Sequence, residues 1–347
     1  MRGRNKAVLA VAFVVAIVGT WWLARRTDSD TVAPVVDEVA APADQAAASE
    51  LKAIPSAPLP PLDAPLDSVL NDLRRRAAAG EPAAACRLAA ELSHCSELRY
   101  RRADDQRWLA QRQAALRAIP NPDVRETAMK NIEREMAERG GRLDAIERHC
   151  AAVQTPTPQE SVEQWRRAAL LGHPAAMRQY ASGNAFRINS LMDTLPMLET
   201  YKREAEPIAR RLAAQGDFSM AVALAAGYNP SPMGSRSLLA QTLKPDGAMS
   251  LALYELAKQT LANETDLRYA SLRRDIDTAI EDLRANLSPE ELARSRDLSA
   301  KAFVDWKPLE VKGAPERIST TGGQRDVHRA SCATKADGPL AAAIEAP

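Results

Sequence analysis

Two dipeptides carry most of the chain's potential chemistry. His94-Cys95 lies in "SHCSEL" and His149-Cys150 lies in "RHCAAV". The 347 residues include only four His and four Cys, so the repetition invites three readings: a metal site, a nucleophile with its base, or a disulfide. A tetrahedral zinc set needs side chains that converge. Adjacent residues on a helix point about 100° apart, so one metal could hardly take both members of each dipeptide. No C-x-x-C or H-x-x-x-H spacing is present, and no metal ligand is assigned. A Cys–His catalytic pair would need each Cys to borrow the other dipeptide's His, with a third group to orient it. No Asp or Asn is placed for that. Motifs of the G-x-S-x-G, Walker A, H-E-x-x-H and G-x-G-x-x-G types are also missing. No catalytic or cofactor-binding residue is assigned, and the chain reads as a non-enzyme.

The disulfide reading depends on compartment. Residues 1–6 carry Arg2, Arg4 and Lys6, and "AVLAVAFVVAIVGTWWLA" then runs from Ala7 to Ala24 without a charge. Eighteen helical residues span about 27 Å, close to a bilayer core of about 30 Å. Trp21 and Trp22 stand where aromatic rings favour the interface, and Arg25 and Arg26 follow. The run ends in a poor cleavage context, so residues 1–26 read as a cytoplasmic stub and an uncleaved anchor. Basic residues outweigh on the N-terminal side, which puts the bulk of the chain outside the cytoplasm. The Ala- and Arg-rich composition suggests a bacterial inner membrane, with the rest in the periplasm. Thiols there oxidise and stay oxidised.

Under that reading Cys95 and Cys150 are the expected pair. Cys95 shares a helical face with Leu88 and Leu92, and Cys150 shares one with Leu143 and Ile146. Closing a loop of about 55 residues contributes roughly 3–4 kcal/mol in the chain-entropy model. Cys86–Cys150 is the second choice. Cys86–Cys95 is disfavoured, because a continuous helix would hold the two about 13 Å apart. Cys86 is then expected as a buried small residue and Cys332 as a lone tail thiol. His94 and His149 are expected as bystanders, and His173 as an exposed turn residue.

The elements that position these residues are helical. Hydrophobic residues make up 46% but aromatics only 4%, so Ala and Leu carry the core and favour helix. The net charge of +1 comes from 46 basic and 45 acidic residues, which argues against a nucleic-acid binder. Residues 27–66 are rich in Pro and Ala and read as a disordered, partly extended linker. Three segments then align on a glycine: "RRAAAGEPAAACRLA" at Gly80, "RAALLGHPAAMRQYA" at Gly172 and "RLAAQGDFSMAVALA" at Gly216. Ala77, Ala169 and Ala213 stand three before the glycine, and Leu88, Tyr180 and Leu224 eight after it. Pro82 and Pro174 fall two after it in the first two copies. A helix can end at a glycine in the left-handed conformation, and a proline can open the next one. Small residues on both sides let the two antiparallel helices approach, and an open apolar face makes hairpins stack.

These segments resemble the Sel-one-like repeats, a family related to the tetratricopeptide repeats. The second copy, "WRRAALLGHPAAMRQYA", carries the resemblance best, through Trp165, Ala168, Ala169, Gly172, Ala176, Tyr180 and Ala181. The resemblance covers residues 67–93 and 160–228 and implies stacked antiparallel hairpins; with the other expected helices the chain reads as an all-α protein, an irregular α-solenoid over residues 67–307. An insertion at about 96–150 separates the first copy from the second, and the family's "G-x-G-V" turn is replaced after Tyr180 by "SGNAFRINS". Trp165, Leu88, Tyr180 and Leu224 are expected as packing residues. Trp165 and Arg178 are also the nearest candidates for partner contact.

Further helices are expected from Asn121-Pro122, from Thr157-Pro158 with Glu160, and from Ser288-Pro289 with Glu291. Gly140-Gly141 is a candidate break in the first of these. Residues 308–347 read as a flexible tail. The whole is expected to be a membrane-anchored, extracytoplasmic binding or scaffolding module for a protein or peptide. The alternative is a cell-envelope enzyme such as a wall hydrolase.

Overall fold

Alternation of Leu and Ala at helical spacing sets the first element. In α1 (Leu66–Ala78), Leu66, Leu70, Leu73 and Ala77 form one buried stripe while Arg74 and Arg75 stay exposed. The computed structural model describes residues 53–96, 98–151, 153–231, 237–262, 267–301 and 327–333, all within the compact unit 49–347. The expected anchor at 7–24 lies outside them. Among the described residues no helix is long and apolar enough to cross a membrane. Those residues form twelve α-helices and no strand, so the protein is all-α there.

The three glycines end three helices in the same way. Gly80, Gly172 and Gly216 have φ of 92°, 83° and 91°. Each glycine N–H bonds the carbonyl three residues back, at Ala77, Ala169 and Ala213. The next N–H bonds the carbonyl five residues back: Glu81 to Arg76, His173 to Ala168 and Asp217 to Leu212. This paired closure satisfies the orphan carbonyls of a helix end and needs a left-handed residue at its centre. Pro82 then opens α2 (Pro82–Ser96), and Pro174 opens α6 (Pro174–Ala181) after α5 (Pro158–Leu170). In the third copy Asp217 instead caps α8 (Phe218–Tyr228) by accepting from Met220 N, after α7 (Leu195–Ala214).

Neighbouring helices pack in chain order, with one interruption. α1 packs on α2, α5 on α6, α6 on α7 and α7 on α8. α2 packs directly on α5, across the inserted α3 (Leu98–Arg117) and α4 (Pro122–Cys150). With α1 and the turn at 329–333 also packed on it, nearly all of α2 is buried. The indole N–H of the buried Trp165 donates to Ser93 Oγ at 2.8 Å across it. α8 packs on α9 (Leu238–Thr242) and on α10 (Gly247–Leu261). α10 then packs on α11 (Ala270–Asn286) and α12 (Pro289–Lys301).

The inserted hairpin differs from the rest. α3 and α4 pack on each other, and most of their surface is exposed. Asn121 caps α4 by accepting from Asp123 and Val124 N–H. Arg139 of α4 pairs with Asp105 of α3 at 2.7 Å and lies 4.4 Å from the Trp108 ring centroid. The expected break at Gly140-Gly141 does not occur, and α4 continues unbroken to Cys150. No heavy atom crowds either glycine's open side, so nothing forces the helix to bend there.

Two end segments depart from expectation. Residues 53–65, placed in the linker, are irregular but lie along the α1–α2 turn. Ile54 N donates to Gly80 O at 3.0 Å and Ala83 N donates to Ser56 Oγ at 3.2 Å. Glu81 accepts from Ala57 N, and Arg76 reaches Ala57 O at 2.8 Å. Prolines deny that stretch regular structure, but the backbone groups of Ile54 and Ala57 still find partners on the hairpin. In the tail, residues 329–333 form a 3₁₀ turn that packs on α2 and α6. This corrects the reading of residues 308–347 as wholly flexible.

Candidate functional site

The cysteines make the centre of the site. Cys95, near the end of α2, is bonded to Cys150, the last residue of α4, with Cα atoms 5.6 Å apart. The bond ties the C-terminal end of the inserted hairpin to the core. Cys86, one turn into α2, is bonded to Cys332 across 246 residues. Cys332 is therefore no lone tail thiol, and Cys86 is more than a filler. No cysteine is free, so none is available as a ligand or nucleophile. The pairing escaped sequence reasoning because no periodicity marks residues 327–333 as structured. The even cysteine count was the one signal that favoured it.

Glu91 stands one helical turn beyond Arg87 on α2 and is fully buried. Its carboxylate accepts from Arg87 Nε at 2.6 Å and from Arg329 Nη1 at 2.9 Å. His149 Nε2 lies 2.9 Å from Glu91 Oε2 and 2.9 Å from Arg329 Nη1. That nitrogen can donate to the first or accept from the second, but not both at once. Burial alone would raise the Glu91 carboxyl. Hydrogen bonds from His149, Arg329 and Arg87 outweigh it and hold the group below the usual carboxylate range. Glu91 is thus a saturated anion, suited to holding a cation rather than moving protons. His149 is no bystander.

His173 corrects a second expectation. It follows Gly172 in the repeat turn but is fully buried, not exposed. Its Nε2 lies 3.1 Å from Cys332 O. A carbonyl can only accept, so Nε2 carries the proton. The docked tail covers the turn, and the sequence offered no sign of that cover.

A second polar cluster joins the next two hairpins. Arg166 of α5 grips Glu204 of α7 with Nε at 2.9 Å and Nη2 at 2.7 Å. Tyr180 of α6 donates to the same carboxylate at 2.9 Å. Burial first, and the adjacent carboxylate second, push the Tyr180 phenol far up, so it stays a neutral donor. Arg178 of α6 pairs with Asp217 at the third turn, 2.7 Å away. This is an internal tie between copies. Trp165, the other candidate for partner contact, is 1% exposed and packs inside. Tyr180, Leu88 and Leu224 are likewise buried.

One open cleft of about 410 Å³ lies where α1, α2 and α5 meet the 153–157 segment. Leu88 and Leu92 form part of its wall, with Arg74, Gln154, Gln164 and Arg167 at its polar rim. Arg167 Nη2 donates to Ala78 O, at the end of α1, at 3.0 Å. Among the described residues no group of three or more His, Cys, Asp or Glu is arranged to hold a metal ion. No family model, curated protein or solved structure matches the chain.

Proposed function

We propose that this protein is a membrane-anchored, extracytoplasmic helical-repeat module that binds or scaffolds a protein or peptide. The observation that carries the reading is the thrice-repeated helix, left-handed glycine and helix at Gly80, Gly172 and Gly216. Repetition of one hairpin with neighbour-to-neighbour packing is the signature of a solenoid, which presents an extended surface rather than a single enclosed pocket. The resemblance to Sel-one-like repeats belongs to this proposal, as does the irregular solenoid over residues 67–307. The inserted hairpin at about 96–150 is the irregularity.

The location is proposed from two features. The apolar run at 7–24, flanked by basic residues, is long enough to cross a bilayer in the inner membrane. Two buried disulfides fit an oxidising compartment such as the periplasm. Their loss under reducing conditions would remove cross-links worth several kcal/mol in the chain-entropy model.

The test is a pull-down of the full-length protein from envelope extract, paired with an assay for turnover of wall polymer. The module reading expects a stoichiometric partner and no turnover. Turnover without any partner would replace it by the envelope-enzyme reading.

A further inference from the structure

Residues 327–333 are seated as a peptide ligand would be. Twenty-five residues, 302–326, separate them from α12. The contacts of the segment itself hold it in place. Arg329 inserts toward buried Glu91 and His149. The Cys332 carbonyl meets His173, and Cys332 Sγ is bonded to Cys86. Val327 packs against the apolar core. A 3₁₀ turn has three residues per turn, so positions i and i+3 project on one side. Arg329 and Cys332 are such a pair. Ala330 between them is exposed.

The receiving groove is assembled from three elements distant in sequence. α2 supplies Cys86, Arg87 and Glu91, the end of α4 supplies His149, and the entry to α6 supplies His173. Removal of the segment would leave a buried carboxylate short of one cation, a histidine donor without its carbonyl and a sulfur at the groove floor. Such unpaired buried groups are costly, and a ligand that restores the pairing is favoured.

We propose that this groove is a docking site for a peptide turn on another protein that carries arginine and cysteine three residues apart, and that the protein's own tail occupies it as a tethered competitor. Capture is a thiol–disulfide exchange. The incoming peptide's thiolate attacks Cys86 Sγ, the Cys86–Cys332 bond breaks, and Cys332 leaves as the thiolate and takes up a proton. One disulfide replaces another, with no net oxidation and no outside reductant. Both sulfurs are fully buried while the tail is seated, so exchange follows release of the Arg329 turn. The inference rests on the binding-module reading and names its site.

The test uses full-length protein carrying Arg329→Ala and Cys332→Ser, which leaves Cys86 as a thiol. The probe is a labelled heptapeptide, Val-His-Arg-Ala-Ser-Cys-Ala, supplied as a mixed disulfide with a small thiol. Attack by Cys86 forms the adduct and releases the small thiol. The expected result is an adduct at Cys86 about tenfold faster or more than with the peptide whose arginine is alanine. Adding Glu91→Gln should erase that preference. Equal rates for the two peptides would overturn the proposal, as would no adduct on a variant with the native helical signal. If the variant does not fold, the wild-type protein is given the reduced peptides instead. Motif-selective replacement of Cys332 on Cys86 supports the site, and unselective or absent replacement overturns it. Disulfide-linked dimers of the wild type through Cys86 and Cys332 would make the groove a self-exchange site and also overturn it. An envelope partner recovered alongside unselective peptides sinks this inference alone. Wall-polymer turnover without any partner sinks the module reading, whichever way the peptides compete.

Discussion

At the scale of the residue, the largest stakes sit on Glu91. It is a buried anion compensated by two arginines and a histidine drawn from three separated parts of the chain. Its carboxyl lies below the ordinary value of 4.5 in the folded protein, because three hydrogen bonds to the charged form outweigh the burial that opposes it. A depressed folded value means that the stabilisation is fully present above about pH 4.5 and is lost as pH falls through the lower native value. Glu91→Gln is therefore expected to cost about 3 kcal/mol near neutrality, since it leaves buried cations uncompensated. The difference between wild type and variant should shrink on acidification below about pH 4.5. Equilibrium denaturation at about pH 7 and at successively lower pH measures both. A difference that grows with acid would contradict this account of the cluster. The sequence displayed Glu91 as one more acid four residues from an arginine, the commonest pattern on a solvated helix face. Only the packing of α2 between α1, α5 and the tail turns that pattern inward.

At the scale of the element, the hairpin was the most legible feature. The glycine, the flanking alanines and the following proline each have a local physical reason to stand where they do. Local reasons survive without knowledge of the rest of the fold. The capping boxes at Thr157–Glu160 and Ser288–Glu291 form for the same cause, with both partners within three residues. The glycines supply a sharp contrast. Gly172→Ala and Gly216→Ala force a Cβ into a left-handed position and are expected to destabilise by about 1–2 kcal/mol each. Gly141→Ala sits inside α4 with open space around it and is expected to stabilise by about 0.5–1 kcal/mol. Thermal melts of the three variants check the signs. A stabilising Gly172→Ala would mean that the turn does not have the capped form described here. The uninterrupted α4 was less legible, because paired glycines weaken a helix without specifying what continues it.

At the scale of the whole molecule, the sequence spoke least where the structure is most particular. The Cys95–Cys150 link joins two helices whose apolar phase is visible in the sequence, so its partners could be named. The Cys86–Cys332 link spans 246 residues and depends on a tail segment whose only apolar anchors are Val327 and the cysteine itself. No periodicity signals such a segment, and its site on α2 exists only once the surrounding helices are assembled. The same distance hid His173, which meets the Cys332 carbonyl, and His149, which lies between Glu91 of α2 and Arg329 of the tail. The Cys86–Cys332 loop contains the inserted hairpin, the hairpins at Gly172 and Gly216 and the 329–333 turn, and it leaves α1 outside. The two links also connect the proposed compartment to the proposed groove, since both require the cysteines to be oxidised. The most direct measurement is disulfide mapping of the full-length protein recovered from cells, with free thiols alkylated at lysis. The expected result is cross-linked peptides joining Cys86 to Cys332 and Cys95 to Cys150, with no alkylated cysteine. Four alkylated cysteines would contradict the oxidised, extracytoplasmic module and leave the tail without its place in the groove.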